Sequence, residues 1–182
     1  MLIGRNTTLR LLERADLPLV AEWRNDPEVR THFFTPHLIT ISGQDRWYDS
    51  YLNRGDSIIF IIQLGDTGQP IGMTGLDHID HRNQSAEYGR MLIADLRFRG
   101  HGYAHDATLT LLHYAFADLN LNRIYLRTYA DNANALAFYE RCGFLREGTE
   151  REALYMGGTF RDLVLMSVLR KELIFSKDSL SR

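Results

Sequence analysis

The segment 86–115 constrains the fold most, because a strand, a glycine-rich turn and a helix follow one another there. Residues 86–93 are rich enough in apolar and aromatic side chains for a strand. The turn 97–104 carries two arginines and two glycines, and alanines and leucines then recur at roughly helical spacing over 104–115. The segment therefore predicts a unit of strand, turn and helix.

The turn has the properties of an anion site. A helix N-terminus leaves backbone N–H groups without intrahelical partners and carries the positive end of the helix dipole. Gly100 and Gly102 let the backbone approach an anion without an intervening Cβ. Arg97 and Arg99 can add charge-assisted hydrogen bonds to phosphate oxygens. We predict a pyrophosphate site, with a glycine-rich surface connector that carries two arginines as the alternative.

Two other phosphate-binding loops do not fit this turn. A P-loop requires a Gly-Lys pair, and the chain contains none. A dinucleotide-binding fingerprint requires a third glycine where this chain has His105, whose side chain would crowd the helix against the sheet.

A further strand is predicted beyond the helix, over 123–129. Two strands joined by a helix form a parallel pair with a right-handed crossover. The segment 57–64 is β-branched and shows no alternation, which predicts a strand buried on both faces. In the strand predicted over 70–76, Gly72 and Gly75 indicate a bulge or a close packing contact.

The remaining elements follow from cap and turn signals. A first strand is predicted over 8–12, and helices are predicted to begin at Asp16, Asp26 and Ser42. The aromatic segment 31–41 has no clear period, so it either packs under the core or forms part of a binding wall. The loop 77–85 contains two histidines but lacks zinc-ligand spacing, and we expect it to be solvated.

Composition limits the function classes. A chain of 182 residues suits one domain, which we place at 1–172 with 173–182 as a C-terminal tail. The formal net charge of −2 creates no global field that favours nucleic acid. The single cysteine, Cys142, excludes an internal disulfide framework. Without a recognisable signal peptide or membrane span, the expectation is a soluble cytoplasmic protein with no membrane partner.

A second informative stretch covers 131–144. Asp131 or Asn132 begins a short helix, and Gly143 is placed to end it. Two adjacent rings, Phe138 and Tyr139, lie within it, and at least one of them need not serve only the core. A neutral phenol, whose ordinary pKa is about 10, can donate a proton to a basic leaving group such as a thiolate.

Together these stretches resemble the GNAT N-acetyltransferase superfamily. The pattern Arg-x-x-Gly-x-Gly over 97–102 looks like its acyl-CoA pyrophosphate loop, and 132–144 resembles its later motif. The segment 146–162 is similar to the RimJ/RimL-type branch, and the resemblance spans 7–170. It implies an α/β GNAT fold: a twisted mixed sheet of about six or seven strands, splayed between the fourth and fifth, and flanked by about four helices.

The resemblance also implies acetyl-CoA as cosubstrate and no metal. Its pantetheine arm would pair with the strand at Met91, Leu92 and Ile93, and would be bound by Asn132. Phe138 is included among the cofactor-binding residues. The pyrophosphate would be held by a set of consecutive residues, with Arg97 assisting: Arg99, Gly100, His101, Gly102, Tyr103 and Ala104.

Two catalytic residues are predicted from the resemblance. Tyr139 would protonate the departing CoA thiolate, and Glu87 would remove a proton from the acceptor amine. Glu87 has an alternative role as a strand glutamate in a salt bridge with an arginine. Because the amine attacks the thioester directly in this superfamily, no enzyme nucleophile is needed, and we interpret Cys142 as structural.

The acceptor is expected to be a small molecule such as a polyamine, amino sugar or amino acid, and a protein N-terminus is the alternative. Residues from Trp23 to Trp47 and Tyr155 should wall the amine side, and Asp26, Glu28, Asp45 and Asp49 could attract a cation there. The apolar run 173–175 could pack on a second copy in a homodimer. Two competing functions remain, a non-catalytic acyl-CoA-binding module and an NAD-binding protein.

Overall fold

The structure, a computed structural model, describes residues 1–30, 33–35 and 37–173. Its centre is a mixed sheet with strand order β1-β2-β3-β4-β5-β6-β8-β7. The strands are β1 Leu2–Ile3, β2 Thr7–Leu11, β3 Ile58–Leu64, β4 Pro70–Asp80, β5 Ser85–Ile93, β6 Arg123–Tyr129, β7 Leu145–Met156 and β8 Thr159–Leu169. The described residues therefore form eight strands, one more than the upper expectation, because the two-residue β1 gives almost no sequence signal.

Helices cover both faces of the sheet. They are α1 Leu17–Asn25, α2 Pro27–Arg30, α3 Ile41–Arg54, α4 Tyr103–Ala117 and α5 Ala133–Arg141, with 3-10 turns at Arg14–Asp16, Leu96–Phe98 and Arg170–Glu172. The predicted α/β class is confirmed. The start of α3 differs from the prediction, because Thr40 is its N-cap and accepts a hydrogen bond from the Gly43 amide; Ser42 lies inside the helix.

Strand β3 shows how the two cores are built. Phe60 and Ile62 point into a core with α4 and α5, whereas Ile59 and Ile61 point into a second core with α1, α2 and α3. Successive side chains of a strand point to opposite faces, so a run without alternation fills both cores. The predicted two-sided burial of this strand is confirmed.

The sheet opens between β5 and β6. These strands pair in parallel, as predicted from the strand, helix and strand order, but only over Ser85, Ala86 and Glu87, which lie opposite Arg123, Ile124 and Tyr125. From Tyr88 onward no strand among the described residues pairs with β5 on its β6 side, while β4 continues to pair on the other side. This divergence, called the splay below, matches the predicted gap in the middle of the sheet.

A bulge in β5 lies at the beginning of the splay. Gly75 pairs with Gly89 and Met73 with Leu92, so one residue of β4 lies opposite two of β5, and Arg90 takes a positive φ of 59°. The extra residue reverses the alternation of the strand. Tyr88 before the bulge and Met91 after it therefore both face α4, although they are three positions apart, an offset that would place them on opposite faces of a regular strand.

The glycines of β4 explain how closely these strands approach. A Cβ on Gly72 would lie 1.9 Å from the carbonyl oxygen of Leu92, so no other residue fits there. The predicted close contact is confirmed, and so is a bulge in β4, because Ile62 pairs with Gly72 and Gln63 with Pro70, which leaves two residues of β4 opposite one of β3. The predicted loop 77–85 is shorter than expected, because β4 extends to Asp80 and β5 begins at Ser85.

Asp106 fixes the start of α4 to the N-terminal segment. Its carboxylate accepts hydrogen bonds from the backbone amides of Arg5, Asn6 and Thr7, each at 2.9 Å, and from the Thr7 hydroxyl at 2.7 Å. Thr7 is completely buried. The helix that carries the glycine turn is thus attached to the edge of the sheet by four hydrogen bonds to one side chain.

We expect Asp106→Ala to lower the free energy of unfolding by about 2 kcal/mol, because it leaves buried donors of Thr7 without an acceptor. For a domain of this size the melting temperature should fall by about 5 °C. Thermal denaturation with Asp118→Ala, at the exposed C-cap of the same helix, provides the control. Equal melting temperatures for the two variants would contradict this account.

Candidate active site

The glycine turn before α4 leaves several backbone N–H groups free and accessible. Gly100 and Gly102 have φ angles of 81° and 84°, and a Cβ on either would meet no atom within 4 Å. Gly102 is the N-cap of α4 and offers no side-chain oxygen to the first amides of the helix. Among the described residues, the amides of Tyr103, Ala104 and His105 have no hydrogen-bond partner. The geometry suits a bound anion.

The two predicted arginines of the turn differ in position. Arg99 donates from Nε to the carbonyl oxygen of Ile93 at 2.9 Å, which ties the turn to the end of β5. Arg97 forms an ion pair with Asp95 at 2.6 Å, and its side chain is 79% exposed. The Arg97 guanidinium is the main cause that lowers the pKa of Asp95. Arg97 would have to leave this pair to bind a phosphate.

The last part of β5 forms one wall of the splay. Met91, Leu92 and Ile93 follow the bulge, and β4 binds their other edge through the pairs Met73–Leu92 and Gly72–Ile93. Within the part of the chain that the structure describes, the edge towards β6 has no strand partner. Tyr88 to Ile93 spans about 17 Å at the usual rise of a strand. The exposed edge therefore runs from the bulge towards the glycine turn.

Helix α5 lies beyond β6 on the α4 side of the sheet. Asn132 is its N-cap, with Oδ1 accepting the Ala135 amide at 3.0 Å, so only the Nδ2 donor of this side chain remains for a ligand. The neighbouring Asp131 does not begin the helix; it pairs with Arg161 at 2.8 Å. Phe138 is partly buried, and its ring lies edge-on to Tyr139 at 5.2 Å.

Tyr139 is surrounded by aromatic rings. Its ring lies 6.1 Å from Tyr88 and 5.8 Å from Phe144, both in the core on the α4 side. Burial, with a smaller contribution from Cys142, raises the pKa of Tyr139 to about 12. Its hydroxyl has no hydrogen-bond partner among the described residues, so it can serve as a donor to a ligand.

Cys142 has the surroundings of a core residue. It is 1% exposed, and burial raises the pKa of its thiol to about 12. A thiol that stays protonated at neutral pH is a poor nucleophile. This environment agrees with the structural interpretation.

Glu87 lies at the closed end of the splay, on the opposite face from Tyr139. Its neighbours Ala86 and Tyr88 face α4, so Glu87 faces the α1 and α3 side. One carboxylate oxygen contacts His78 Nδ1 at 3.0 Å, and the other accepts from Arg127 at 3.3 Å. The salt bridge that the sequence offered as an alternative is therefore present, and the geometry leaves both roles open.

The α1 to α3 connection covers the amine side of the splay. Phe34 packs edge-on against Tyr129 at the end of β6, at 5.1 Å, and Trp23 and Trp47 pack against the second core. The segment 31–41 thus lies over the sheet where it is described; residues 31, 32 and 36 are outside the described residues. Tyr155 is 64% exposed and lies near the end of the β7–β8 hairpin beside Phe160.

The acidic residues predicted to attract a cation have other partners. Asp45 and Asp49 both pair with Arg14, and Asp26 accepts the backbone amide of Glu28. Glu28 itself is exposed. The described structure therefore shows no carboxylate cluster from this set at the amine side.

Sequence reasoning missed a pair of arginines on this side. Arg90, at the bulge, binds Asp77 through both oxygens at 2.8 and 3.1 Å, and its guanidinium lies over Trp47. Arg24, in the last turn of α1, lies over the ring of Phe33 at 3.9 Å. A charged residue after glycine in an apolar strand was the available signal for Arg90; Arg24 gave none that distinguishes it from a surface arginine.

The described residues contain neither a metal-binding cluster nor a membrane-spanning helix. No group of three or more histidine, cysteine, aspartate or glutamate side chains in the described ranges is arranged to hold a metal ion. Within the same ranges, no helix combines the length and apolarity that crossing a bilayer requires.

Comparison with known proteins decides the family. Residues 6–145 match the model of the acetyltransferase (GNAT) domain, which is more than half of the chain. The chain belongs to the GNAT family. The glycine turn, the splay and the first part of α5 all lie in the matched region, so the features described above are parts of a GNAT domain.

Similar proteins cover nearly the whole chain. A putative ribosomal N-acetyltransferase of Bacillus subtilis is 38% identical over 175 residues, covering 93% of this chain and 94% of the relative. A spermidine N(1)-acetyltransferase of Vibrio cholerae is 28% identical over 165 residues, covering 91% and 94%. The crystal structure of spermidine N-acetyltransferase from Vibrio cholerae in complex with CoA and spermine superposes with a TM-score of 0.83 at 28% identity, covering 92% and 97%.

Three predictions from the sequence are confirmed by these findings. The fold is that of GNAT proteins, the chain is an N-acetyltransferase, and acetyl-CoA is its cosubstrate. The RimJ/RimL-type branch is not distinguished, because both spermidine and ribosomal N-acetyltransferases are among the relatives.

Proposed function

We propose that this GNAT enzyme transfers the acetyl group of acetyl-CoA to the primary amine of a small molecule, by direct attack in a ternary complex. The observation that carries the proposal is the splay between β5 and β6, with Tyr139 on one face of the sheet and Glu87 on the other. A donor and an acceptor could reach the same point from opposite sides of such an opening.

The residues of the splay fit the cosubstrate. Open amides at the start of α4 suit the diphosphate, and the unpaired edge of β5 suits an arm with its own amide groups. In our proposal the pantetheine arm pairs with the backbone of Met91, Leu92 and Ile93 and accepts a hydrogen bond from Asn132 Nδ2. When bound, acetyl-CoA supplies an activated acyl group.

Tyr139 would stabilise the leaving thiolate by donating a hydrogen bond. Because burial raises the pKa of Tyr139 to about 12, the phenol stays protonated at neutral pH. It is then a weaker acid than a thiol, whose ordinary pKa is about 8.5, so complete proton transfer to the thiolate is unfavourable. The structure thus favours hydrogen-bond donation over the full protonation predicted from the sequence.

Glu87 would assist removal of the proton from the acceptor ammonium, directly or through water. An amine attacks only when neutral, and an ordinary alkyl ammonium has a pKa of about 10. Glu87 faces the amine side, and its oxygens retain acceptor capacity beyond His78 and Arg127. The role of the base is therefore to raise the fraction of neutral amine near pH 7.

Release of free CoA tests the reaction. Purified protein is incubated with acetyl-CoA and a panel of amines, and thiol formation is followed. The proposal requires amine-dependent release and an acetylated amine as product. Binding of acetyl-CoA without release for any amine would favour the non-catalytic module, and thermal protection by NAD but not CoA would favour the dinucleotide-binding alternative.

We expect Glu87→Gln to lower kcat/KM for the amine about tenfold at pH 7, because the base no longer assists deprotonation. The loss should shrink to about twofold near pH 9.5, where much of an amine of pKa about 10 is already neutral. Initial rates at the two pH values measure this.

Arg127→Gln is the matched control, because it breaks the same ion pair and leaves the carboxylate in place. If Glu87 serves only in the salt bridge, the two variants will lose the same activity at both pH values.

A protein N-terminus remains a second candidate acceptor. It is favoured by the 38% identity to the putative ribosomal N-acetyltransferase and by the RimJ/RimL-like segment 146–162. We propose membership of that branch on the same grounds. Acetylation of ribosomal proteins in place of small amines would support it. A homodimer also remains a proposal; Leu173 packs against the core of its own chain, and residues 174–175 lie outside the described residues.

A further inference from the structure

Arg24 is partly buried, and part of its guanidinium has no hydrogen-bond partner among the described residues. Its Nε is inaccessible to solvent and has no hydrogen-bond partner in the part of the chain that the structure describes. Its other contacts are weak: Nη2 lies 3.4 Å from both the carbonyl oxygen and the hydroxyl of Thr35. The ring of Phe33 covers one face of the group at 3.9 Å. Packing against Phe33 thus holds the guanidinium in place, while among the described residues its Nε has no acceptor and its Nη2 has only long contacts.

The charge of Arg24 is also uncompensated. Among the described ion pairs, none includes Arg24. Burial, together with repulsion from the nearby cation Arg90, lowers the pKa of Arg24 to about 10. Arg90 is already neutralised by Asp77, which it binds through both oxygens. The three side chains together therefore carry one positive charge in excess.

The position of this charge relates it to the acceptor. Arg90 is the bulge residue of β5, and Phe33 belongs to the α1 to α3 connection that covers the amine side of the splay. The diphosphate turn lies at the other end of the exposed strand edge, at the start of α4. Arg24 is thus separate from the phosphate donors and close to the strand residues beside which an acceptor would enter.

A partly desolvated cation without a counter-charge is unfavourable, and a ligand that brings an anion would remove that cost. The fork of an arginine matches the two oxygens of a carboxylate or phosphate. A polyamine would instead bring further positive charge to the excess cation.

We propose that Arg24 binds an anionic group of the acceptor, so that the substrate is a primary amine that also carries a carboxylate or phosphate. This inference rests on the proposed acetyl transfer and specifies the acceptor class. It distinguishes this chain from the spermidine acetyltransferase of Vibrio cholerae, whose substrate is a polycation.

Paired substrates that differ only in the anion test the proposal. Lysine is compared with lysinamide, and glucosamine 6-phosphate with glucosamine, with spermidine as the polycation; thiol release gives kcat/KM for each. In at least one pair, we expect kcat/KM for the member that carries the carboxylate or phosphate to exceed that for the member that lacks it by about 10- to 100-fold, the range for a charge-assisted hydrogen bond. The pair that responds identifies carboxylate or phosphate as the recognised group.

Variants of Arg24 locate the effect. Arg24→Met keeps the stem on Phe33 but removes the charge, and it should reduce the preference to about twofold or less without changing KM for acetyl-CoA. Arg24→Lys keeps the charge without the fork and should retain part of the preference. Arg14→Met, which removes an arginine already paired with two aspartates, is the control and should keep the full preference.

Other outcomes overturn the proposal. It is wrong if spermidine is preferred and the compounds with and without the anionic group have equal kcat/KM, or if Arg24→Met keeps the preference. If no amine releases CoA, the proposed reaction has failed, and binding tests Arg24 separately. Lysine or glucosamine 6-phosphate should then raise the melting temperature of the wild type and not of Arg24→Met. No protection of the wild type refutes the anion site.

Discussion

Tyr139→Phe should lower kcat about 100-fold, the scale of losing one hydrogen-bond donor to a developing negative charge, while KM for acetyl-CoA changes less than about twofold. Phenylalanine keeps the ring packed against Tyr88 and Phe144, so only the hydroxyl is lost. Steady-state kinetics with both substrates varied measure the effect. Because the pKa of Tyr139 is raised to about 12, the wild-type rate should also show no loss from its ionisation up to pH 10.

Tyr114→Phe provides the matched control. Tyr114 is a partly buried tyrosine of α4 whose ring packs edge-on against Phe60, away from the splay. It should keep wild-type kinetics. Equal kcat for Tyr139→Phe and wild type would remove Tyr139 from the reaction and would point to solvent as the partner of the thiolate.

Gly102→Val should raise KM for acetyl-CoA about 30-fold or more and change KM for the amine less than about twofold. The φ of 84° at this position is strained for a β-branched residue, and the new side chain would fill the open space above the amides that hold the diphosphate. A loss of two or more hydrogen bonds to a charged group is of this size. Initial rates over a range of acetyl-CoA concentrations measure it.

Gly68→Val separates backbone strain from the loss of the site. Gly68 has a similar φ of 68° and equally open surroundings, but it lies in the turn between β3 and β4. Gly68→Val should lower the melting temperature about as much as Gly102→Val does, because the backbone strain is similar, and it should leave the KM values for acetyl-CoA and the amine unchanged. An equal rise in both KM values for Gly102→Val would contradict a diphosphate site at this turn.

Local sequence patterns predicted the parts of the site that depend on local structure. Gly100 and Gly102 need positive φ angles, and the helix follows directly, so the turn could be identified from adjacent residues. The parallel pairing of β5 and β6 follows from the order of strand, helix and strand. Tyr139 was likewise predicted from a short motif, over residues 132–144.

Contacts between distant segments could not be predicted in this way. The pairing of Arg90 with Asp77 depends on a bulge set by the register of β4 and β5. The contact of the Arg24 guanidinium with the Phe33 ring depends on how the α1 to α3 connection folds back over the sheet. Asp45 and Asp49 illustrate the same limit. Their charges suggested a cation site, yet both pair with Arg14, more than thirty positions away in sequence.

Because β5 and β6 diverge, the backbone N–H and C=O groups on this edge of β5 have no strand partner among the described residues, and a bound molecule can supply one. If the pantetheine arm of the cosubstrate forms hydrogen bonds with this edge, it acts as a temporary ninth strand. Each turnover then includes local assembly and disassembly of the sheet, and release of CoA requires breaking backbone hydrogen bonds as well as freeing the phosphates. The molecule would be most rigid while loaded and most deformable just after its product has left.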